Sequence, residues 1–370
     1  MNTGRRILIV ASFVNLAGAQ IAALRVARGL RDRGHDPKVV FLYEVNPIPA
    51  PDHPYEVLLA TAEPGISGYL SFVPGLMRMI RCERPDRVLT FMPLASVVGL
   101  ACAAIGGCAR RVVSQRVPVD TIRPVWRVLD LAWAWLGIYT DVIAVSESVR
   151  LSCRGYPKRL LARTAVVHNG LLGWRRSALR PEAARRRFAV ADGAVALVAV
   201  GRLAPQKNYP LMLRILQRVE GAVLLIAGEG RERTALEALA NEFGVAGKVR
   251  FLGSLARRDV PDLLAAADIF LQTSTFEGQS NAVLEALQAG LPVVAHDIPE
   301  QRETIAEPDG ATAGELVPVG DIDAWVAAIE RLRSDPTAAS AARRVAGRRA
   351  RLFSFETMID GFESVLIGGG

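Results

Sequence analysis

Glu277 and Glu285 flank the stretch Gly278-Gln279-Ser280-Asn281, and Arg202 and Lys207 lie together in an earlier turn. A helix is expected to start at this stretch, capped by Ser280 or Asn281, and to stop at Gly290 ahead of Pro292. Free N–H groups at a helix start, with the positive end of the helix dipole, favour an anion such as a diphosphate. A carboxylate on each side can bind hydroxyls of sugars attached to that anion. Arg202 offers a planar fork and Lys207 a compact point charge, so the two can neutralise a diphosphate without a metal. Taken singly, each of the four reads better as a solvated surface charge. The chemical reading needs them on one edge of one sheet.

The second half of the chain supplies such an edge. Strands are expected at 195–200, 222–227, 248–252 and Ala267 to Leu271. They run into Gly201 to Asn208, Gly228-Glu229-Gly230, Gly253 and the polar turn Thr273 to Phe276. Helices near 209–219, 231–243 and 259–266 separate them, and Val293-Val294-Ala295 opens the next strand. Ligands of open α/β sheets bind at the carboxyl ends of the strands. Further on come Gly314 to Pro318, a helix over 322–332 capped by Asp321, an Arg/Ala-rich helix and a last helix opened by Phe353-Ser354-Phe355-Glu356.

The first half opens as strand 6–13, helix 18–32 and strand Pro37 to Tyr43, a βαβ start with Gly18 in its first turn. Arg5-Arg6, Ile7 to Val14 and Ala17-Gly18-Ala19 imitate a signal peptide. The stripe Ala19, Ala22, Ala23, Val26, Ala27 and Leu30 instead continues as one helix face. Residues 44–68 read as Pro-rich and irregular, followed by a helix at 69–83, the strand Arg87 to Phe91, a helix near 94–105 and the strand Arg111 to Ser114. The segment 124–138 carries Trp126, Trp133 and Trp135, and reads as a buried helix in preference to an amphipathic face at a membrane. Strands Asp141 to Val145 and Thr164 to Val167 follow, the second leading to the turn His168-Asn169-Gly170. His168 reads as a structural turn residue and as the one histidine beside a strand end with a turn after it. The Arg-rich stretch to about Gly193 marks a domain boundary.

Composition narrows the partners. Lys and Arg total 45 against 37 Asp and Glu, a net charge of +8, which suits phosphorylated substrates or anionic lipid. No Arg/aromatic block of a nucleic-acid module is present, so nucleic acid is not expected as a partner. Cys82, Cys102, Cys108 and Cys153 lack C-x-x-C or zinc spacing and are expected to be buried, reduced thiols of a cytoplasmic protein. No apolar run is long enough for a confident transmembrane helix.

Together these motifs resemble the retaining glycosyltransferases of family four, with the GT-B architecture of two Rossmann-like doubly wound α/β domains facing a cleft. The resemblance rests on Gly18-Ala19-Gln20, Val145-Ser146-Glu147-Ser148 and His168-Asn169-Gly170. In the second half it rests on Gly201-Arg202-Leu203 with Gln206-Lys207-Asn208, Ala227 to Gly230, Phe251-Leu252-Gly253, Glu277 and Glu285 in Glu-Gly-x6-Glu-Ala, and Gly290 to Ala295. Leu316 to Asp321 and Phe353 to Glu356 are similar to the family's tail. It implies an acceptor domain at 1–170, a linker at 171–193, a nucleotide-sugar domain at 194–350 and, at 351–370, a helix crossing back to the first domain.

The resemblance also implies roles. Arg202 and Lys207 hold the diphosphate and stabilise the leaving nucleotide. Glu277 orients the donor sugar or supports positive charge at its anomeric carbon, and Glu285 binds the ribose. Leu255 helps hold the base through backbone contacts, Gly278, Ser280 and Asn281 line the donor, and Gly18 lets the backbone approach it. No metal or cofactor is implied beyond a nucleotide-sugar co-substrate, expected to be a UDP-sugar. A glycan or lipid-linked acceptor is implied, with a membrane surface as a further candidate partner and the inner face of the cell membrane as a location. Two departures stand out: Arg116 in Val113 to Pro118, where many members have His, and Gln279-Ser280-Asn281, where Phe-Gly is usual. Arg116 is thus a candidate for contacting the donor or a phosphorylated acceptor, with a structural salt bridge as the alternative. Competing readings are a nucleotide-sugar epimerase or hydrolase of the same architecture and a non-catalytic nucleotide-sugar-binding subunit.

Overall fold

The computed structural model describes residues 4–14, 18–48, 51–59, 68 and 71–368. Residues 15–17 of the first turn, much of the stretch read as irregular and the last two glycines lie outside the described residues. The chain forms two compact units, one of 1–172 with 355–370 and one of 173–354.

The first unit is built on a seven-stranded sheet. Its strands are β1 (Arg6–Val14), β2 (Asp36–Glu44), β3 (Glu56–Leu59), β4 (Arg87–Phe91), β5 (Arg110–Gln115), β6 (Asp141–Ala144) and β7 (Thr164–Val166). The order is β3-β2-β1-β4-β5-β6-β7, with all pairs parallel. Successive side chains of a strand point to opposite faces, so one apolar run feeds two cores. Ile7, Ile9 and Ala11 of β1 pack with helices Gly18–Asp32 and Phe355–Ile367, whereas Leu8 and Val10 pack with helices Phe72–Glu83 and Pro93–Ile105.

The last helix is tied to the first by ions. Arg33 reaches Asp360 at 2.5 Å and also pairs with Glu363, while His35 Nε2 lies 3.0 Å from the other Glu363 oxygen. Arg87 Nε donates to Leu366 O at 2.9 Å.

Several expectations need correction. The stretch 44–68 is not wholly irregular, because Glu56–Leu59 forms edge strand β3 on β2. The supposed linker contains helix Pro181–Arg187, held by Arg187 to Asp259 at 2.7 Å. Cys82 is exposed, although the other three cysteines are buried. Helix Pro124–Leu136 is not a buried helix: only Asp130 and Ala134 are buried on it, and Trp135 is 62% exposed. Trp133 stays against the core because its Nε1 donates to Val97 O at 2.8 Å.

The second unit carries β8 (Val195–Val200), β9 (Ala222–Ala227), β10 (Val249–Gly253), β11 (Ile269–Gln272), β12 (Val293–His296) and β13 (Gly314–Val317). Their order is β10-β9-β8-β11-β12-β13, again all parallel. Strand order reverses between β8 and β11, which makes this the switch point where such sheets hold ligands. The turns after β8 and β9 are pressed together: a Cβ on Gly228 would lie 1.9 Å from Gly201 O. Only glycine permits that approach, and Gly228 also has φ of 151°.

Candidate functional site

The site is assembled from the ends of β8 and β11. After β8 the chain makes a short 3-10 turn, Pro205–Lys207, then passes Asn208 in a left-handed conformation and enters helix Tyr209–Arg218. After β11 it runs through Thr273 to Ser280 into helix Asn281–Ala289. The two loops are bonded to each other. Thr273 Oγ1 donates to Lys207 O at 2.7 Å and to Asn208 O at 3.0 Å, and Thr275 N donates to Gln206 O at 2.9 Å.

Within that frame Lys207 Nζ lies 2.5 Å from Glu277 Oε1. Both side chains are largely enclosed, at 18% and 9% exposure. Gln272, the last residue of β11, donates from Nε2 to Glu277 Oε1 at 3.0 Å, to Ser280 Oγ at 3.1 Å and to Ser274 Oγ at 3.0 Å. Gln206 Nε2 donates to Phe276 O at 2.8 Å and reaches Glu277 Oε2 at 3.5 Å. Glu277 is therefore a buried acid fixed from both strands, not a solvated loop residue. Tyr209, buried nearby with its hydroxyl donating to Gly201 O at 2.9 Å, has its phenol pushed well up by burial and then by the Glu277 charge.

The other expected residues fall around this knot. Arg202 is exposed at the same edge and makes no hydrogen bond or ion pair among the described residues. Arg202 and Lys207 are thus unequal cations, one open and one already matched by an acid. Gly278 and Ser280 are buried, and Glu285 is half-buried one turn into the helix. Ser280 occupies the cap position, but its hydroxyl makes no cap bond and accepts from Gln272 instead. Asn281 is the first helical residue and does not cap; its Oδ1 is buried with no partner among the described residues. Leu255 lies half-buried beyond β10, two strands from β8 on the same edge.

Gly18 and Arg116 belong to the first unit. Gly18 is exposed and opens helix Gly18–Asp32 after β1. Arg116 follows β5, stacks at 5.8 Å over the Phe91 ring and donates from Nη2 to Asn169 Oδ1. Among the described residues its contacts are these, not a salt bridge. Its Nη1 is buried with no partner among the described residues, and burial pushes its pKa down to about 10, which leaves it charged at neutral pH.

Sequence reasoning missed three residues here. Gln272 and Gln206 brace Glu277; the signal for Gln272 was a polar amide closing an apolar strand, and Gln206 stood in the turn after β8 without this role. His296 is a second histidine at a strand end, closing β12 at the carboxyl edge. Its Nδ1 faces Ser274 O at 3.3 Å, so that nitrogen carries the hydrogen, and its ring stands edge-on to Trp325 at 5.3 Å. Burial pushes its pKa down and keeps it neutral. Among the described residues no group of three or more His, Cys, Asp or Glu is gathered to hold a metal.

Comparison with known proteins agrees with this architecture. A family model described as glycosyl transferases group 1 matches residues 182–352, and one described as Glycosyltransferase Family 4 matches 16–171. The chain is 31% identical over 139 residues to the lipopolysaccharide core biosynthesis glycosyltransferase LpsE of Rhizobium meliloti, covering 38% of this chain and 39% of that protein. It is 33% identical over 183 residues to the GDP-mannose-dependent alpha-(1-6)-phosphatidylinositol monomannoside mannosyltransferase of Mycolicibacterium smegmatis, covering 46% and 47%. The matched part thus spans less than half the length of these curated relatives. The structure of Anabaena Alr3699/HepE in complex with UDP and glucose superposes with a TM-score of 0.83 at 20% identity, over 97% of this chain and 98% of that one, a likeness of fold. With a Family 4 model over residues 16–171, a group 1 model over 182–352 and this shared two-sheet fold, the chain is a GT4-like glycosyltransferase of GT-B architecture.

Proposed function

We propose that the protein transfers a hexosyl or N-acetylhexosaminyl group, with retention at the anomeric carbon, from a nucleotide-diphosphate sugar to a glycan or lipid-linked acceptor in cell-surface polysaccharide synthesis. The observation that carries this is the largely enclosed Lys207–Glu277 pair at the β8–β11 switch point, beside exposed Arg202 and the start of helix Asn281–Ala289. A diphosphate is drawn there by two cations and a helix N-terminus, and the acid sits where the attached sugar would lie. A UDP-sugar is the first donor to try, because the solved relative HepE binds UDP.

In this reading the bond between the anomeric carbon and the diphosphate oxygen breaks, and its electron pair leaves with the nucleotide. Arg202 and Lys207 stabilise that developing charge, so no metal is required. Glu277 orients the sugar and supports positive charge at the anomeric carbon. The acceptor hydroxyl attacks from the face the diphosphate leaves, and its proton passes to the departing phosphate oxygen. Glu285 binds the ribose and the backbone near Leu255 the base. Gly278, Ser280 and Asn281 shape the sugar pocket; Gly18 is kept as a donor-binding candidate of the first unit, and Arg116 as one whose Nη1, unpartnered among the described residues, suits a phosphate. The work is assigned to the inner face of the cell membrane.

The test is donor turnover by the purified chain, with donor hydrolysis counted alongside transfer. Glu277→Gln should still bind donor and lose turnover by at least about a hundredfold. NMR of the product should show the donor's anomeric configuration. Unchanged turnover in Glu277→Gln, or an inverted product, overturns the mechanism.

A further inference from the structure

We infer that the first unit docks on an anionic lipid surface through the outward face of helix Pro124–Leu136. Among the described residues eleven large apolar side chains are exposed, and six of them, Val125, Val128, Leu131, Trp135, Leu136 and Leu151, belong to this helix or to the helix Glu147–Ser152. Val128, Leu131 and Trp135 follow one another at spacings of three and four, so they share one face. Concentration on one face sets this patch apart from the scattered apolar residues of an ordinary surface.

The stripe cannot roll inward, because the opposite side of the helix is fixed by a buried polar cluster. Asp130 accepts from Gln115 Nε2 at 3.0 Å, from the Tyr139 hydroxyl at 3.1 Å and from the Tyr156 hydroxyl. Burial pushes the Asp130 pKa up, and these bonds oppose that shift. The neighbouring segment is fastened alongside, with Trp135 Nε1 donating to Gly155 O at 3.1 Å and Arg159 Nη2 donating to Trp135 O at 3.1 Å. Trp135 thus lies along the surface as a half-wet aromatic, the placement tryptophan favours at a membrane interface.

Charge selects the occupant. Arg123 at the cap of the helix, Arg127 on it, and Arg154, Lys158 and Arg159 on the adjoining segment are all exposed. Of the nearby acids, Glu147 is paired with Arg150, and Asp120 is exposed before the helix. An apolar stripe rimmed by cations suits an interfacial helix on anionic lipid. A second copy meeting the same patch across a two-fold axis would set these cations against themselves. Among the described residues no helix is long and apolar enough to cross a membrane, so the contact is peripheral.

This deepens the functional reading by naming a partner of the first unit, yet it is measured with no donor or acceptor present. The full chain is sedimented with phosphatidylcholine vesicles with and without about one-third phosphatidylglycerol, at low and high salt. Binding is expected only with phosphatidylglycerol, weakening with salt. Val128→Asp with Leu131→Asp should lose it by at least about tenfold while melting as wild type, because both positions are exposed. Arg127→Ala and Arg154→Ala should each weaken it roughly fivefold. Absence of vesicle binding, or binding equal in all variants, overturns the inference. So does a dimer that Val128→Asp with Leu131→Asp abolishes in a chain that ignores vesicles. Failure here leaves the transfer reading standing, and failed turnover leaves the vesicle result standing.

Discussion

Lys207 Nζ rests 2.5 Å from Glu277 Oε1, and these two residues follow neighbouring parallel strands, β8 and β11, at the point where strand order reverses. The cation proposed for a diphosphate therefore already has an acid for a partner. A ligand phosphate must share Lys207 with Glu277, while Arg202, open at the same edge, has no such rival among the described residues. The pair also joins the proposed phosphate and sugar positions, so one contact couples the two.

Lys207→Ala should destabilise the second unit by about 3 kcal/mol, because it leaves an uncompensated buried acid. Pairing it with Glu277→Gln should restore more than half of the loss. Urea denaturation of the four-member cycle measures this, and additive losses would show that the two side chains do not act as a pair.

Gln272 holds Glu277 and Ser280 without a place among the groups proposed to touch substrate. Gln272→Leu should lower kcat roughly tenfold with KM little changed, through a misplaced Glu277. A raised KM with kcat intact would make Gln272 a binding residue instead.

His296 has a folded pKa below its ordinary value because it is buried. Its contribution to stability is fully present above about pH 6.5 and is lost as pH falls from there through the lowered folded value. His296→Phe should flatten that part of the stability curve. Parallel curves for wild type and variant would contradict the assignment.

Glu363 has a folded pKa below its ordinary value, held down first by its bond to His35 and then by Arg33. Stability from this contact is present above about pH 4.3 and is lost as pH falls through the folded value. Glu363→Gln should cost roughly 1 kcal/mol at neutral pH, since the carboxylate is 27% exposed. Faster hydrogen exchange confined to helix Phe355–Ile367 would show it, and unaltered exchange there would count against it.

Much of the fold was legible because parallel strands buried on both faces are written as short apolar runs, such as Val195–Val200 and Ala222–Ala227. The strand Glu56–Leu59 was hidden because it is a half-buried edge strand of four residues between prolines. Helix Pro124–Leu136 misled because an exposed apolar stripe and a core stripe have the same spacing; periodicity gives a face, not what covers it. Glu277, Lys207 and Arg202 could be placed on one edge from strand ends alone. Gln206 could not be paired with Glu277, because strand order within a sheet decides which turns meet, and Gln272 could not, because the path of the loop after its own strand decides what its amide reaches.

The central claim is that the β8–β11 edge binds a nucleotide diphosphate through Arg202 and Lys207. The direct measurement is calorimetric titration of UDP and UDP-sugars into wild type, Arg202→Ala and Arg202→Ala/Lys207→Ala, at a temperature where all three are folded. The account predicts binding by wild type, weakening by at least about tenfold in Arg202→Ala and further in the double variant. Equal affinity in all three proteins would contradict it.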